Sequence, residues 1–86
     1  MKILVTGGLG FIGSNFILST LKKFPNFNIV NLDDELEVSN RLSLKEIENS
    51  KNYRFVKGNI TDKTLMEKLI VDCDQIINFA AESHVD

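Results

Sequence analysis

The sequence predicts an α/β fold built on a parallel sheet, and three observations carry that prediction. Short β-branched, apolar runs recur four times, helical segments separate them, and glycine or polar residues close each run. Strands that alternate with helices are joined by right-handed crossovers, which makes every strand parallel to its neighbours.

Lys2 to Thr6 (KILVT) reads as a buried strand closed by Gly7 and Gly8. Ile12, Phe16, Ile17, Leu21 and Phe24 follow at three- and four-residue spacing, the pattern of a helix laid on a sheet, and Pro25-Asn26 ends it. Phe27 to Leu32 (FNIVNL) is a second strand that ends at Asp33, and residues 34 to 40 (DELEVSN) form an acidic loop. Ser43 and Glu46 have capping-box spacing and start a short helix with Leu44 and Ile47 facing in. Tyr53 to Lys57 (YRFVK) is a third strand, closed by Gly58. Thr61 or Asp62 caps another helix, with Leu65, Met66, Leu69 and Ile70 on one face. Gln75 to Phe79 (QIINF) is the fourth strand, before AAESHVD. The expected strand order is 3-2-1-4. The first two helices then cover one face, and residues 62 to 72 cover the other.

A chain of 86 residues is one small domain or part of a larger one. With 43% hydrophobic and 26% charged residues it is globular in type. The net charge of -2, spread without a basic stripe, argues against nucleic acid as a partner. Cys73 is the one cysteine, which fits a reducing, cytoplasmic setting, and no spacing suggests a metal site. The apolar run after Lys2 is too short for a signal peptide or a membrane span.

The glycines carry the chemistry. Gly7, Gly10 and Gly13 stand three apart in TGGLGFIG, after a strand and at the start of an amphipathic helix. A turn that receives a pyrophosphate must present backbone N–H groups with no Cβ in the way, beside the partial positive charge of a helix N-terminus. Gly7 allows the tight turn, Gly10 the approach of the phosphates, and Gly13 the close packing of the helix. Asp33 lies 20 positions after Gly13, at the end of the second strand, where an adenosine ribose would sit. Its carboxylate accepts both ribose hydroxyls and would repel a 2′-phosphate by about 4 kcal/mol at 4 Å and an effective dielectric near 20. NAD is therefore expected in preference to NADP, in a Rossmann-type nucleotide-binding domain. Asn59 and Ile60 follow the third strand at its carboxyl end and could take adenine. A glycine turn without a ligand, a solvated acidic loop and an ordinary turn asparagine are the alternatives at these three places.

With TGGLGFIG, NLD, YRFVKGNITD and above all FAAESHVD, the chain resembles the extended short-chain dehydrogenase/reductase family, and within it the sugar-nucleotide dehydratases. The resemblance runs over the whole chain but matches only the first part of the family's length. It implies NAD as cofactor, with Gly7, Gly10, Phe11, Ile12 and Gly13 at the pyrophosphate, Asp33 at the ribose, and Asn59 and Ile60 at adenine. It also implies Phe79, Ala80, Ala81 and Glu82 at the nicotinamide ribose, and Ser83 at a sugar nucleotide, dTDP-glucose. Loss of water through transient hydride transfer is the implied reaction, and a homodimer the implied assembly. Where the family continues with Leu-Thr-Tyr-Ala-Gly-Asn after the ribose aspartate, this chain reads DELEVSN, so no adenosine contact carries over to residues 34 to 38. His84, the one histidine, is expected to position its loop rather than act in catalysis.

The family works with a Tyr-x-x-x-Lys pair on a helix. Tyr53 to Lys57 spells that pattern, but on a strand at the sheet's outer side, and is not expected to serve. No catalytic residue is therefore expected within residues 1–86, nor a substrate domain, and the chain alone is expected to be inactive and poorly stable. A sugar-nucleotide 4-epimerase and a free-standing nucleotide-binding module remain as competing readings.

Overall fold

In the computed structural model the chain is described for residues 1–8, 10–34 and 41–79. Four strands, β1 (Lys2–Thr6), β2 (Asn28–Asp33), β3 (Tyr53–Lys57) and β4 (Gln75–Asn78), form one parallel sheet in the order β3-β2-β1-β4. That is the architecture expected of a Rossmann-type domain.

Because β1 and β2 are covered on both faces, they carry nearly continuous apolar runs rather than alternating ones. Ile3, Val5 and Ile29 pack with Ile17 of helix α1 (Phe11–Lys23), with Leu44, and with Tyr53. Leu4, Val30 and Leu32 point the other way, to Leu69 of helix α2 (Lys63–Ile70). The crossovers from β1 to β2 and β2 to β3 thus run on one face. The crossover from β3 to β4 runs on the other and returns past β1. The direction of winding reverses between β1 and β4, and at such a reversal an open parallel sheet leaves a crevice at its carboxyl edge.

Local chemistry sets the element ends. Lys22 and Lys23 lie in the last turn of α1, where cations suit the helix dipole, and Phe24 N–H closes the helix on Thr20 O at 2.7 Å. Asp62 caps α2, its side chain accepting the Leu65 N–H at 3.1 Å. At the amino edge, Lys2 reaches Asp72 at 3.0 Å, and the Asp74 side chain accepts the Lys2 backbone N–H at 2.8 Å, tying β1 to the start of β4.

Several expected details differ. The fourth strand ends at Asn78 rather than Phe79. Ile12, at the open N-terminal end of α1, is 54% exposed rather than laid on the sheet. The second strand starts at Asn28 rather than Phe27, because Phe27 N–H bonds Phe24 O at 3.0 Å and its ring stacks on Phe24 at 4.6 Å. The segment read as a helix capped at Ser43 is a 3₁₀ helix over Arg41–Ile47, kinked at Leu44. Its two inward residues, Leu44 and Ile47, lie three apart, the repeat of a 3₁₀ turn, and no apolar residue four apart favours an α-helix. Ile70, expected on the inner face of α2, is 39% exposed, because one step around the helix from buried Leu69 carries it to the flank.

Candidate functional site

The carboxyl ends of the four strands gather the residues that the sequence marks for binding. Gly7 follows β1 with φ 76°, a conformation that glycine adopts without strain. Its N–H donates to Leu32 O at 2.9 Å, so the turn is fastened to β2 as it leaves β1. Gly7 O then accepts the Gly10 N–H at 3.3 Å, and Gly10 O the Ser14 N–H at 2.9 Å, which starts α1.

Each glycine answers to a different constraint. At Gly13 a Cβ would stand 2.6 Å from Gly7 O and 2.8 Å from Gly8 Cα, so the helix is pressed against the turn itself. Gly10 is unlike the others. As the N-cap of α1 it has φ -70° and ψ 171°, an extended conformation open to any residue, and a Cβ there would meet only Gly7 O, at 3.6 Å. Neither backbone nor packing requires glycine at that place.

Gly10 also offers no side chain to cap the helix, and α1 has no acidic residue in its first turn. The N-terminal N–H groups and their partial positive charge therefore remain for an anion. Beside them Phe11 is 82% and Ile12 54% exposed, large apolar surfaces at the mouth of the turn.

Asp33 ends β2 and is 6% exposed, and its backbone carbonyl accepts the Gly58 N–H at 3.0 Å. Next to it, Asp34 Oδ2 accepts Asn59 Nδ2 at 3.3 Å. Asn59 Oδ1 accepts both the N–H and the hydroxyl of Thr61 at 2.9 Å, so Asn59 holds the turn after β3 while facing the end of β2. Ile60 follows it at the surface. The glycine turn, Asp33, Asn59 and Ile60 thus share the carboxyl edge.

Phe79 continues from β4, its N–H donating to Thr6 O at 2.7 Å and its ring tilted against Phe16 at 5.6 Å. That ring belongs to the core under α1. Ala80, Ala81, Glu82, Ser83 and His84 lie outside the described residues.

Tyr53 and Lys57 occupy the two ends of β3, about 13 Å apart along a strand. Tyr53 is buried, and its hydroxyl accepts Asn31 Nδ2 at 3.0 Å. Among the described residues no group of three or more His, Cys, Asp and Glu could hold a metal, and no helix is long and apolar enough to cross a membrane. The titratable groups with displaced pKa values sit at the opposite, amino edge. The hydrogen bond and charge of Lys2 lower Asp72, and desolvation raises Cys73. The chemistry assembled at the carboxyl edge is therefore suited to holding a ligand: helix N–H groups for an anion, a carboxylate for hydroxyls.

Sequence reasoning passed over Asn31 and took Gly8 only as a further small residue of the turn. Gly8 N–H donates to Asn31 Oδ1 at 3.0 Å, inside the protein. The signal was present in NIVNLD, where an amide replaces an apolar residue in line with Ile29 and so needs partners of its own.

The GDP-mannose 4,6-dehydratase family model matches residues 4–86. The chain belongs to this family. It is similar to dTDP-glucose 4,6-dehydratase of Mycobacterium tuberculosis, 43% identical over 86 residues, all of this chain and 25% of that protein. The dTDP-glucose 4,6-dehydratase of Bacillus anthracis, solved in complex with NAD, superposes with a TM-score of 0.88 at 44% identity, over 93% of this chain and 26% of that one. The dTDP-glucose 4,6-dehydratase DesIV of Streptomyces venezuelae, also solved with NAD bound, gives a TM-score of 0.86 at 40% identity, over 100% of this chain and 28% of that one. The chain spans about a quarter of the length of these relatives.

Proposed function

We propose that residues 1–86 form the N-terminal, NAD-binding part of a dTDP-glucose 4,6-dehydratase. The observation that carries the reading is Gly10, a glycine that neither its backbone angles nor its neighbours demand, at the N-terminus of a helix with no side-chain cap. A bulky anion pressed against the backbone is what a Cβ there would obstruct. The relatives solved with NAD share this fold over nearly the whole chain.

In this reading Gly7, Gly10 and Gly13 shape the turn, and the N–H groups at the N-terminus of α1, those of Phe11 and Ile12 among them, hold the pyrophosphate. Asp33 accepts the adenosine ribose hydroxyls and disfavours a 2′-phosphate. Ile60 lies against adenine, and Asn59 contributes its amide N–H₂, its oxygen being engaged by Thr61. Phe79, Ala80, Ala81 and Glu82 run beside the nicotinamide ribose, and Ser83 reaches the sugar nucleotide. NAD, when bound, supplies a temporary acceptor for the hydride from the sugar's C4. None of residues 1–86 is assigned to proton transfer. The protein works in the cytoplasm as a homodimer, on dTDP-glucose.

Incubating the full-length protein with NAD and dTDP-glucose, and following the sugar nucleotide by mass spectrometry, tests the reading. A product lighter by one water is expected. A product of unchanged mass with inverted C4 would make the protein an epimerase. NAD binding with no turnover of any sugar nucleotide would make it a binding module.

A further inference from the structure

One of the fully buried residues beside the glycine turn is polar. Asn31 is 0% exposed, in the middle of β2 and in line with Ile29 on the face that α1 covers. A buried amide is costly unless its donors and acceptor are matched. Here they are matched in one direction. The Gly8 N–H can only donate, so Asn31 must present Oδ1 to it, at 3.0 Å. Nδ2 then faces Tyr53, whose hydroxyl accepts it at 3.0 Å. Tyr53 is paired in the sheet with Ile29, and its ring spans the step of about 6.6 Å to the row of Asn31. Two strands, β2 and β3, are thereby joined by side chains, as well as by ladders, to the turn that follows β1.

We propose that Asn31 and Tyr53 are positioning residues for the phosphate-binding turn, so that two side chains remote from the ligand set the affinity for its diphosphate. The proposal rests on the dinucleotide-binding reading above. The Gly7 and Gly8 N–H groups are both turned inward, one to Leu32 O at 2.9 Å and one to Asn31. They are therefore withdrawn from the ligand and fix the peptide between them. The Gly7 carbonyl follows from that peptide's orientation, and it accepts the Gly10 N–H at 3.3 Å. The place of Gly10 thus depends on Asn31. The arrangement has little slack, because a Cβ on Gly8 would come within 2.6 Å of both Asn31 Cγ and Ile17 Cδ1. Backbone donors aimed at a diphosphate lose much of their value when displaced by a fraction of an ångström.

The test uses Tyr53→Phe, which deletes one oxygen, Asn31→Leu, which deletes the amide, and the double variant, all in the full-length protein. Leu69→Ala, on the opposite face of the sheet under α2, serves as a control for lost stability. Affinities for NAD and for adenosine, which has no phosphate, are measured with thermal unfolding on the same samples. Tyr53→Phe should weaken NAD roughly three- to tenfold and Asn31→Leu about tenfold or more, with adenosine unchanged. The double variant should match Asn31→Leu, since the hydroxyl acts through the amide. Leu69→Ala should lower the unfolding temperature with NAD affinity intact. If the parent binds NAD and Tyr53→Phe binds it equally well, the positioning role is overturned while the dinucleotide site stands. Adenosine binding weakened as much as NAD binding would overturn that role in the same way. A parent that binds no NAD overturns the dinucleotide reading and this proposal together.

Discussion

The carbonyl oxygen of Gly7 leaves room at Gly13 for a hydrogen and nothing larger, since a Cβ would stand 2.6 Å from it. The contact is with backbone on both sides, so no side chain can swing away to relieve it. Gly13→Ala must push α1 off the turn, at about 1–3 kcal/mol. A lowered unfolding temperature and weakened NAD binding are expected together. An unchanged unfolding temperature would show that the helix is not held against the turn as described.

Asp33 lies two residues beyond Asn31 on β2, at the carboxyl edge, and is 6% exposed. A carboxylate held there accepts two hydroxyls but opposes a phosphate at the same place. The parent should prefer NAD to NADP by about tenfold or more, and Asp33→Ala should abolish most of that preference. Parallel calorimetric titrations with the two cofactors measure it. Equal affinities in the parent would remove Asp33 from the ribose.

At the opposite edge, Cys73 donates its S–H to Leu69 O at 3.0 Å, and desolvation raises its pKa above the ordinary 9.0. The thiolate is the reactive form, so alkylation of the native protein at neutral pH should be slower than that of the unfolded chain. Because the folded state favours the protonated thiol, its contribution to stability is fully present below pH 9.0. That contribution is lost as pH rises through the higher, folded value. Iodoacetamide kinetics with and without denaturant provide the check. Equal rates would contradict the raised value.

Much of this fold was legible in the sequence because its strands are buried on both faces and bounded by turn residues. KILVT and YRFVK became strands over the ranges their composition suggested, and the order β3-β2-β1-β4 followed from the alternation with helices. The departures arose where contacts between distant residues decide the outcome. The stacking of Phe27 on Phe24 delays the second strand, and the kink at Leu44 serves two inward residues three apart. The site was legible in type, since glycine spacing and an acidic strand end are local signals. The link from Gly8 through Asn31 to Tyr53 was not, because it spans 23 and then 22 residues of sequence, and only parallel pairing brings those positions together. The expectations for Ala80, Ala81, Glu82 and Ser83 fall outside the described residues.

Gly10→Val separates the ligand's demands from those of the fold. The position has ordinary extended angles, and a Cβ there would touch only Gly7 O at 3.6 Å, so the valine variant should fold with an unfolding temperature close to the parent's. Its methyl groups would stand where a diphosphate approaches the backbone. Titrating NAD into the full-length parent and into Gly10→Val, by calorimetry on samples of matched thermal stability, weighs the dinucleotide site most directly. Saturable binding to the parent and its loss in the stable variant is the predicted result. Equal binding by both proteins would contradict a diphosphate site at this turn.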